Sequence, residues 1–290
     1  MSSVRTFLPN GERRLMHAFI ALLAVAGIVG SVPTALGAQT RDSTRVVVPQ
    51  QEPAHWHLQV SSFYSKADKG FGVWQGQDAR LLYSSAKLSP FVNVGTQSRP
   101  NGRQQLIGVG SYINIAPWMY AIVGVGHAPD NGVVHFPKYR SDASLFIAVP
   151  KAKGLMVTTG ITDLRYTDKR AGGQILSLGS MLYRGRGIYN AAVFFNEDRA
   201  SGARSHAWQA GGQWGTQGKY WIGGSVGAGN EAYRLLAATP FDARFRSNFA
   251  TAFASKWITK SSGLSLRLDF EQKLDIFNRQ AVGLMYFVDF

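Results

Sequence analysis

Three places in the sequence set opposite charges two residues apart: Asp78 with Arg80, Arg140 with Asp142, and Arg267 with Asp269 and Glu271. Residues two apart point to the same side of an extended strand, so each set would form an ion pair or present alternating charge to whatever the strand faces. Two uses are open: a web of ion pairs that plugs an interior and stiffens its wall, or a lining that selects a hydrophilic solute, a sugar or an anionic glycan. The histidines offer a second chemistry. His127 and His135 bracket one loop, with Ser141 and Ser144 just beyond it; Ser and His oriented by an acid or amide would make a lipid-modifying hydrolase. A protease would need His127 beside paired carboxylates, for which Asp130 and Asp142 are the crowded set. In "HWH", His55 and His57 share one strand face, a metal-ligand spacing without a third ligand. None of these signals has the fixed spacing of a nucleophile and base or of a closed ligand set. No catalytic residue, metal or cofactor is therefore assigned.

The elements that must position these residues are strands. Read back from the end of "QAVGLMYFVDF", Phe290, Val288, Tyr286, Leu284 and Val282 form one wholly apolar face, and the chain stops on an aromatic ring that belongs to it. Burial against a second sheet gives no reason to complete the face at the carboxy terminus, whereas a lipid-facing strand does. About fourteen alternating segments follow residue 55, with twelve the nearest alternative: roughly 55–65, 74–84, 88–96, 103–113, 117–127, 138–149, 154–166, 173–183, 187–196, 204–215, 219–229, 245–258, 263–272 and 279–290. Their connections alternate between longer ones such as "KADKGFG", "QSRPNGR" and "HAPDNGVVHFP" and clipped ones such as "SSAK", "PKAKG" and "RGRG". That rhythm suits an up-and-down barrel with short periplasmic turns and longer outer loops. In "GLSLRLDFEQ", Leu264, Leu266, Leu268 and Phe270 oppose Ser265, Arg267, Asp269 and Glu271. Arg267 at mid-bilayer would cost about 2 to 4 kcal/mol, so the charged face must look inward. Backbone groups in hydrocarbon must be paired within the protein, which a sheet achieves by closing on itself. The expected fold is an all-β, transmembrane antiparallel barrel. Tyr64, Trp74, Tyr139 and Tyr166 beside the longer loops, and Trp118, Tyr183, Tyr189, Tyr220 and Trp257 beside the short turns, are expected to ring the two interfaces.

Composition bounds the setting. Arg13 and Arg14 precede an apolar run from Ala18 to Gly30, and small residues near Ala38 offer a cleavage site, so residues 1–38 read as a signal peptide, 39–54 as a periplasmic linker and 55–290 as the barrel. The chain has no Cys, which excludes a disulfide framework and a lipid anchor on Cys. Its formal net charge of +14 suits an anionic partner, such as the headgroups of outer-membrane lipids, lipopolysaccharide phosphates or an acidic polymer. Nucleic acid is not expected, because the basic residues are dispersed and the chain is exported from the cytoplasm. Lys87, Lys151, Lys153, Arg184, Arg186, Lys219 and Lys260 stand at the short turns, where they would meet headgroups of the inner leaflet.

The run "GVGSYINIAPWMYAIVGVGHAPDNGVVHFPKYRSDASLF", with Gly108, Gly110, Tyr112, Pro117, Tyr120, Ala121, Gly126, Pro137 and Arg140, resembles the YaiO family of outer-membrane β-barrels, and the likeness extends from about residue 55 to the end. The leader and the strand pattern place the chain in the bacterial outer membrane, with Phe290, Val288, Tyr286 and Leu284 as the signal for the barrel-assembly machinery; the resemblance implies a part in export, assembly or permeation of surface polysaccharide. It carries over no catalytic residues. On that reading Arg80, Arg140, Asp142, Arg267, Asp269 and Glu271 are the lumen-binding candidates. A lipid-modifying hydrolase and a general diffusion porin are the alternatives.

Overall fold

In the computed structural model of the chain, the described residues are 54–129, 136–167, 172–199, 202–231, 245–274 and 276–290. They form fourteen strands: β1 (His55–Ala67), β2 (Gly72–Ser84), β3 (Leu88–Arg99), β4 (Gly102–Ala116), β5 (Met119–His127), β6 (Tyr139–Ala148), β7 (Leu155–Arg165), β8 (Gly172–Arg184), β9 (Gly187–Asp198), β10 (Arg204–Thr216), β11 (Tyr220–Glu231), β12 (Phe245–Trp257), β13 (Ser262–Lys273) and β14 (Phe277–Asp289). Each pairs antiparallel with its sequence neighbours, and β1 pairs with β14, so the sheet closes into one barrel. No strand end departs from its expected place by more than three residues. The leader, nearly all of the linker, Asp130 and His135 lie outside the described residues.

Closure reaches the last residue. The Phe290 N–H donates to the Trp56 carbonyl at 3.0 Å, and the Trp56 N–H donates to the Phe290 carbonyl at 2.8 Å. The Phe290 ring is 66% exposed and points outward with Leu284 and Tyr286, as parity along β14 requires. On β13 the leucines are outside, while Arg267, Asp269 and Glu271 face the lumen. The packed interior of this protein is therefore the inside of the cylinder.

The expected rhythm of the connections holds only in part: residues 128–138 and 232–244 make long connections at the end away from the termini, but others there are short. These include residues 68–71, 100–101 and 274–276, which are as short as the turns at the terminal end. Strands β1, β3, β4 and β14 run further toward that end than alternation alone suggests, and they absorb the turn-rich stretches.

Four inward phenylalanines lie flat on the wall, each over a glycine directly opposite on the next strand: Phe63 over Gly76, Phe91 over Gly110, Phe249 over Gly227 and Phe287 over Gly263. A Cβ at any of these glycines would collide with the ring. The aromatic ring covers a strand position that glycine leaves bare, so these rings thicken the wall instead of projecting to the barrel axis.

Candidate functional site: the barrel lumen

At the terminal end the lumen is apolar. Phe146, Met156, Met181, Ile188 and Trp221 form one buried cluster, against which Tyr120, Ile122, Tyr183, Phe253 and Trp257 pack. Tyr120 stacks on Phe146 with centroids 4.4 Å apart, and Trp257 meets Phe287 edge-on at 4.9 Å. The cluster joins β5 to β12, seven places apart in a ring of fourteen, so opposite walls share one packed group. Tyr183 and Trp257 thus belong to the interior and not to the expected interface ring; their parity with Met181 and Phe253 places them there. Trp118, Tyr189, Tyr64 and Tyr139 are exposed on the outside as expected.

Mid-depth, the wall carries two copies of one arrangement. Arg140 donates from Nε to Asp142 Oδ2 at 2.6 Å and from Nη2 to Oδ1 at 2.9 Å, and Thr162, opposite Asp142 on β7, donates to Oδ1 at 2.6 Å. Arg267 donates from Nε and Nη2 to Asp269 Oδ1 at 2.8 and 2.7 Å, and Thr251, opposite Asp269 on β12, donates to the same oxygen at 2.7 Å. Strands β6 and β13 are seven places apart, so the two Arg-Asp-Thr sets stand on opposite walls. The bidentate fork fixes each guanidinium, and the threonine fills a remaining lone pair of the carboxylate.

Two expected pairings do not form. Arg80 leaves Asp78 and donates from Nη2 to the Tyr112 hydroxyl at 3.0 Å, with its guanidinium 4.3 Å above the Phe91 centroid. Asp78 instead takes a hydrogen bond from Ser61, its direct neighbour on β1. An aromatic face on the adjacent strand competes well with a same-strand carboxylate, because guanidinium stacks on rings with little loss of hydration. Glu271 likewise leaves Arg267 and binds Arg279, directly opposite on β14, at 2.8 Å; their side chains are 1% and 8% exposed.

Toward the far end the lumen is basic and aromatic. Trp74, 1% exposed, lies beneath two guanidinium groups, Arg99 at 4.4 Å and Arg279 at 5.3 Å, and donates from Nε1 to the Phe71 carbonyl at 3.0 Å. Trp74 is therefore a lumen residue, against the expectation that it rings the interface. Arg99, Lys273 and Arg279 were missed as lumen residues by sequence reasoning. Their parity with Gln97, Glu271 and Ala281 was the available signal. Outside the strands, Asp68 in the β1–β2 turn accepts the Asn278 backbone N–H at 2.7 Å and its side-chain amide at 2.9 Å. The backbone bond is the main reason its carboxyl titrates below the ordinary value of 3.8.

The hydrolytic candidates do not converge. His127 faces outward, its ring 4.9 Å from Tyr139 and its Nδ1 2.9 Å from the Lys138 carbonyl, while Asp142 and Ser144 face the lumen. His127 and Asp142 lie on opposite faces of the wall, so the protease set does not assemble. Ser141 shares the outward face, but among the described residues no hydrogen bond joins it to His127. At the terminal end His57 Nδ1 sits 2.5 Å from Asp289 Oδ1, with His55 Nε2 at 4.0 Å from the same oxygen. Among the described residues no three His, Cys, Asp or Glu are arranged to hold a metal ion. On the exterior an apolar register row, Ile161, Leu176 and Phe195, is followed two residues on by Asp163, Gln174, Glu197 and Arg204. Such a step marks the edge of a hydrocarbon belt.

Comparison with known proteins agrees with this architecture. A search of curated protein sequences finds no match. Among solved structures, a bacterial polysaccharide outer membrane secretin matches with a TM-score of 0.56 at 9% identity, covering 81% of this chain and 98% of that one. Pseudomonas aeruginosa OccK3 (OpdO) matches with a TM-score of 0.46 at 9% identity, covering 83% and 96%. The Acinetobacter baumannii outer membrane protein Omp33 matches at 0.46 and 12% identity, covering 81% and 99%. At 9% identity the likeness to the secretin shows the fold alone. The model of the YaiO membrane beta barrel domain matches residues 56–234, more than half of the chain and all of β2 to β11, and the chain belongs to that family.

Proposed function

We propose that the chain is an exported bacterial outer-membrane barrel whose lumen passes a hydrophilic saccharide during export or assembly of surface polysaccharide. The observation that carries this reading is the pair of Arg-Asp-Thr sets on opposite walls. They present fixed charge and hydrogen-bonding groups to the interior at a depth where a merely filled core would use apolar side chains. The polysaccharide secretin named above shares the fold and adds support. The apolar cluster at the terminal end is then the constriction, and Trp221, joining it from β11, is its natural gate residue.

Conductance in planar bilayers tests the reading. Small currents are expected from the wild type and larger ones from Trp221→Ala, with a change in ion selectivity when Arg140→Ala or Arg267→Ala is added. No current from any of these proteins would mean a closed structural barrel whose ion pairs only stiffen the wall.

A further inference from the structure

Arg80 is a lumen cation without a counter-charge. Arg140 and Arg267 are neutralised by aspartates two residues away. Arg80 has no carboxylate within ion-pair reach among the described residues; its partners are the Tyr112 hydroxyl and the faces of Phe91 and Tyr112. Those rings orient the guanidinium without neutralising it. A charge held inside a barrel wall in this way is satisfied by water or by an anion.

Beside it the wall is built from glycines. The inward row across β2 to β6 runs Arg80, Asn93, Gly108, Gly126, Arg140, and Gly124 lies on the next row, opposite Asp142. Unlike Gly110, which Phe91 fills, Gly108, Gly124 and Gly126 have room for a methyl group: an added Cβ would stay at least 3.4 Å from every neighbour, and none has a left-handed backbone. Glycine weakens a strand and packs nothing, so neither conformation nor close approach accounts for these three. What they provide is a shallow trough between the side chains of β3 and β6, three strand spacings or about 14 Å across, edged by the Leu106 Cδ1 and the Phe91 ring tip, which lie 3.5 and 3.8 Å from where a Cβ would stand at Gly126 and Gly124. Arg80 and Asn93 stand on one bank, and Arg140 and Asp142 on the other.

We propose that this trough binds one unit of an acidic saccharide, with the carboxylate on Arg80 and the hydroxyls on Asn93 and Asp142. The proposal rests on the saccharide reading above and names its chemistry, but binding does not require transit. A barrel that conducts nothing can still bind, and one that conducts can fail to bind.

The test is isothermal titration of the whole barrel in detergent with trigalacturonate, maltotriose and sodium sulfate. Trigalacturonate is expected to bind saturably and maltotriose not to bind. Loss of a charge-assisted contact in Arg80→Gln should weaken binding by about tenfold or more. Gly108→Leu, which fills the trough, should weaken it comparably at an unchanged melting temperature, and Arg204→Gln on the outer surface should leave it unaltered. Arg80→Gln alone decides the matter if the leucine variant does not fold. No binding of trigalacturonate by the wild type, equal binding by Arg80→Gln, or sulfate binding as tight as the saccharide would overturn the proposal; the last result would make Arg80 a general anion site.

Discussion

A buried ion pair and an exposed one on this barrel have the same chemistry and different consequences. Glu271 and Arg279 lie beneath other side chains in the lumen, whereas Arg204 and Glu197 pair at 2.9 Å with side chains 81% and 50% exposed. Glu271→Gln leaves Arg279 without its counter-charge and should lower unfolding free energy by about 3 to 5 kcal/mol. Arg204→Gln should cost about 1 kcal/mol or less. Urea titrations that follow the folded and unfolded gel bands would show the difference in midpoint. Asp68 has its own pH signature. Its bonds to Asn278 favour the ionised carboxylate, so their contribution is complete above the ordinary carboxylate value of 3.8 and is lost as pH falls through the lower folded value. Amide exchange at Asn278 should therefore stay slow relative to Asp68→Asn down to about pH 4 and converge with that variant below it. Loss of the difference at higher pH would contradict the assignment.

At the scale of the strand, the glycines divide into two kinds. Gly110→Ala would drive a methyl group into the Phe91 ring and the Val123 carbonyl, whereas Gly108→Ala meets nothing closer than 3.4 Å. The first should cost about 1 to 3 kcal/mol through overpacking. The second should be neutral or stabilising by up to about 1 kcal/mol, because alanine loses less entropy on folding than glycine. Thermal melts of the two variants side by side would tell them apart. The closing strand pair poses a different question. Phe290→Ala keeps both backbone bonds to Trp56 and removes only the outward ring, whereas deletion of Phe290 removes the bonds as well. If Phe290, Val288, Tyr286 and Leu284 are what the assembly machinery reads, Phe290→Ala should reduce barrel assembly in cells while refolding into detergent micelles proceeds at the wild-type rate. Deletion should impair both. Equal losses in the two assays for Phe290→Ala would leave the ring a packing role alone.

Across the whole molecule, what was legible in the sequence is what solvent enforces. An apolar outer face backed by a largely polar mid-lumen compels alternation, so the apolar faces of β13 and β14 could be read and the strands counted. The pairings within the lumen could not, because they depend on which strands become neighbours and in what register: Arg80 on β2 reaches past β3 to Tyr112 on β4, and Glu271 finds Arg279 only once β13 and β14 are paired. Trp74 was misplaced for a related reason. An aromatic near a loop suits an interface ring as well as a lumen plug, and only its parity with Asp78 and Arg80 separates the two. The basic balance of the chain is also legible, and the barrel localises part of it. Lys87, Lys151, Lys153, Arg186, Lys219 and Lys260 are exposed in the connections at the terminal end, with Arg184 at the tip of β8, and none of those connections contains Asp or Glu. They are spread around the rim beside exposed Trp118 and Tyr189, and if anionic phospholipid headgroups are their partner, each charge would contribute on the order of 1 kcal/mol near the surface. Insertion into vesicles should then be faster with phosphatidylglycerol than with phosphatidylcholine alone, and added salt should erase the advantage. A variant with Lys87, Lys151, Lys153 and Lys219 replaced by Gln should lose most of it without a change in melting temperature. Wild-type protein that inserted equally fast into both vesicles would show that the rim charges do not engage the lipid.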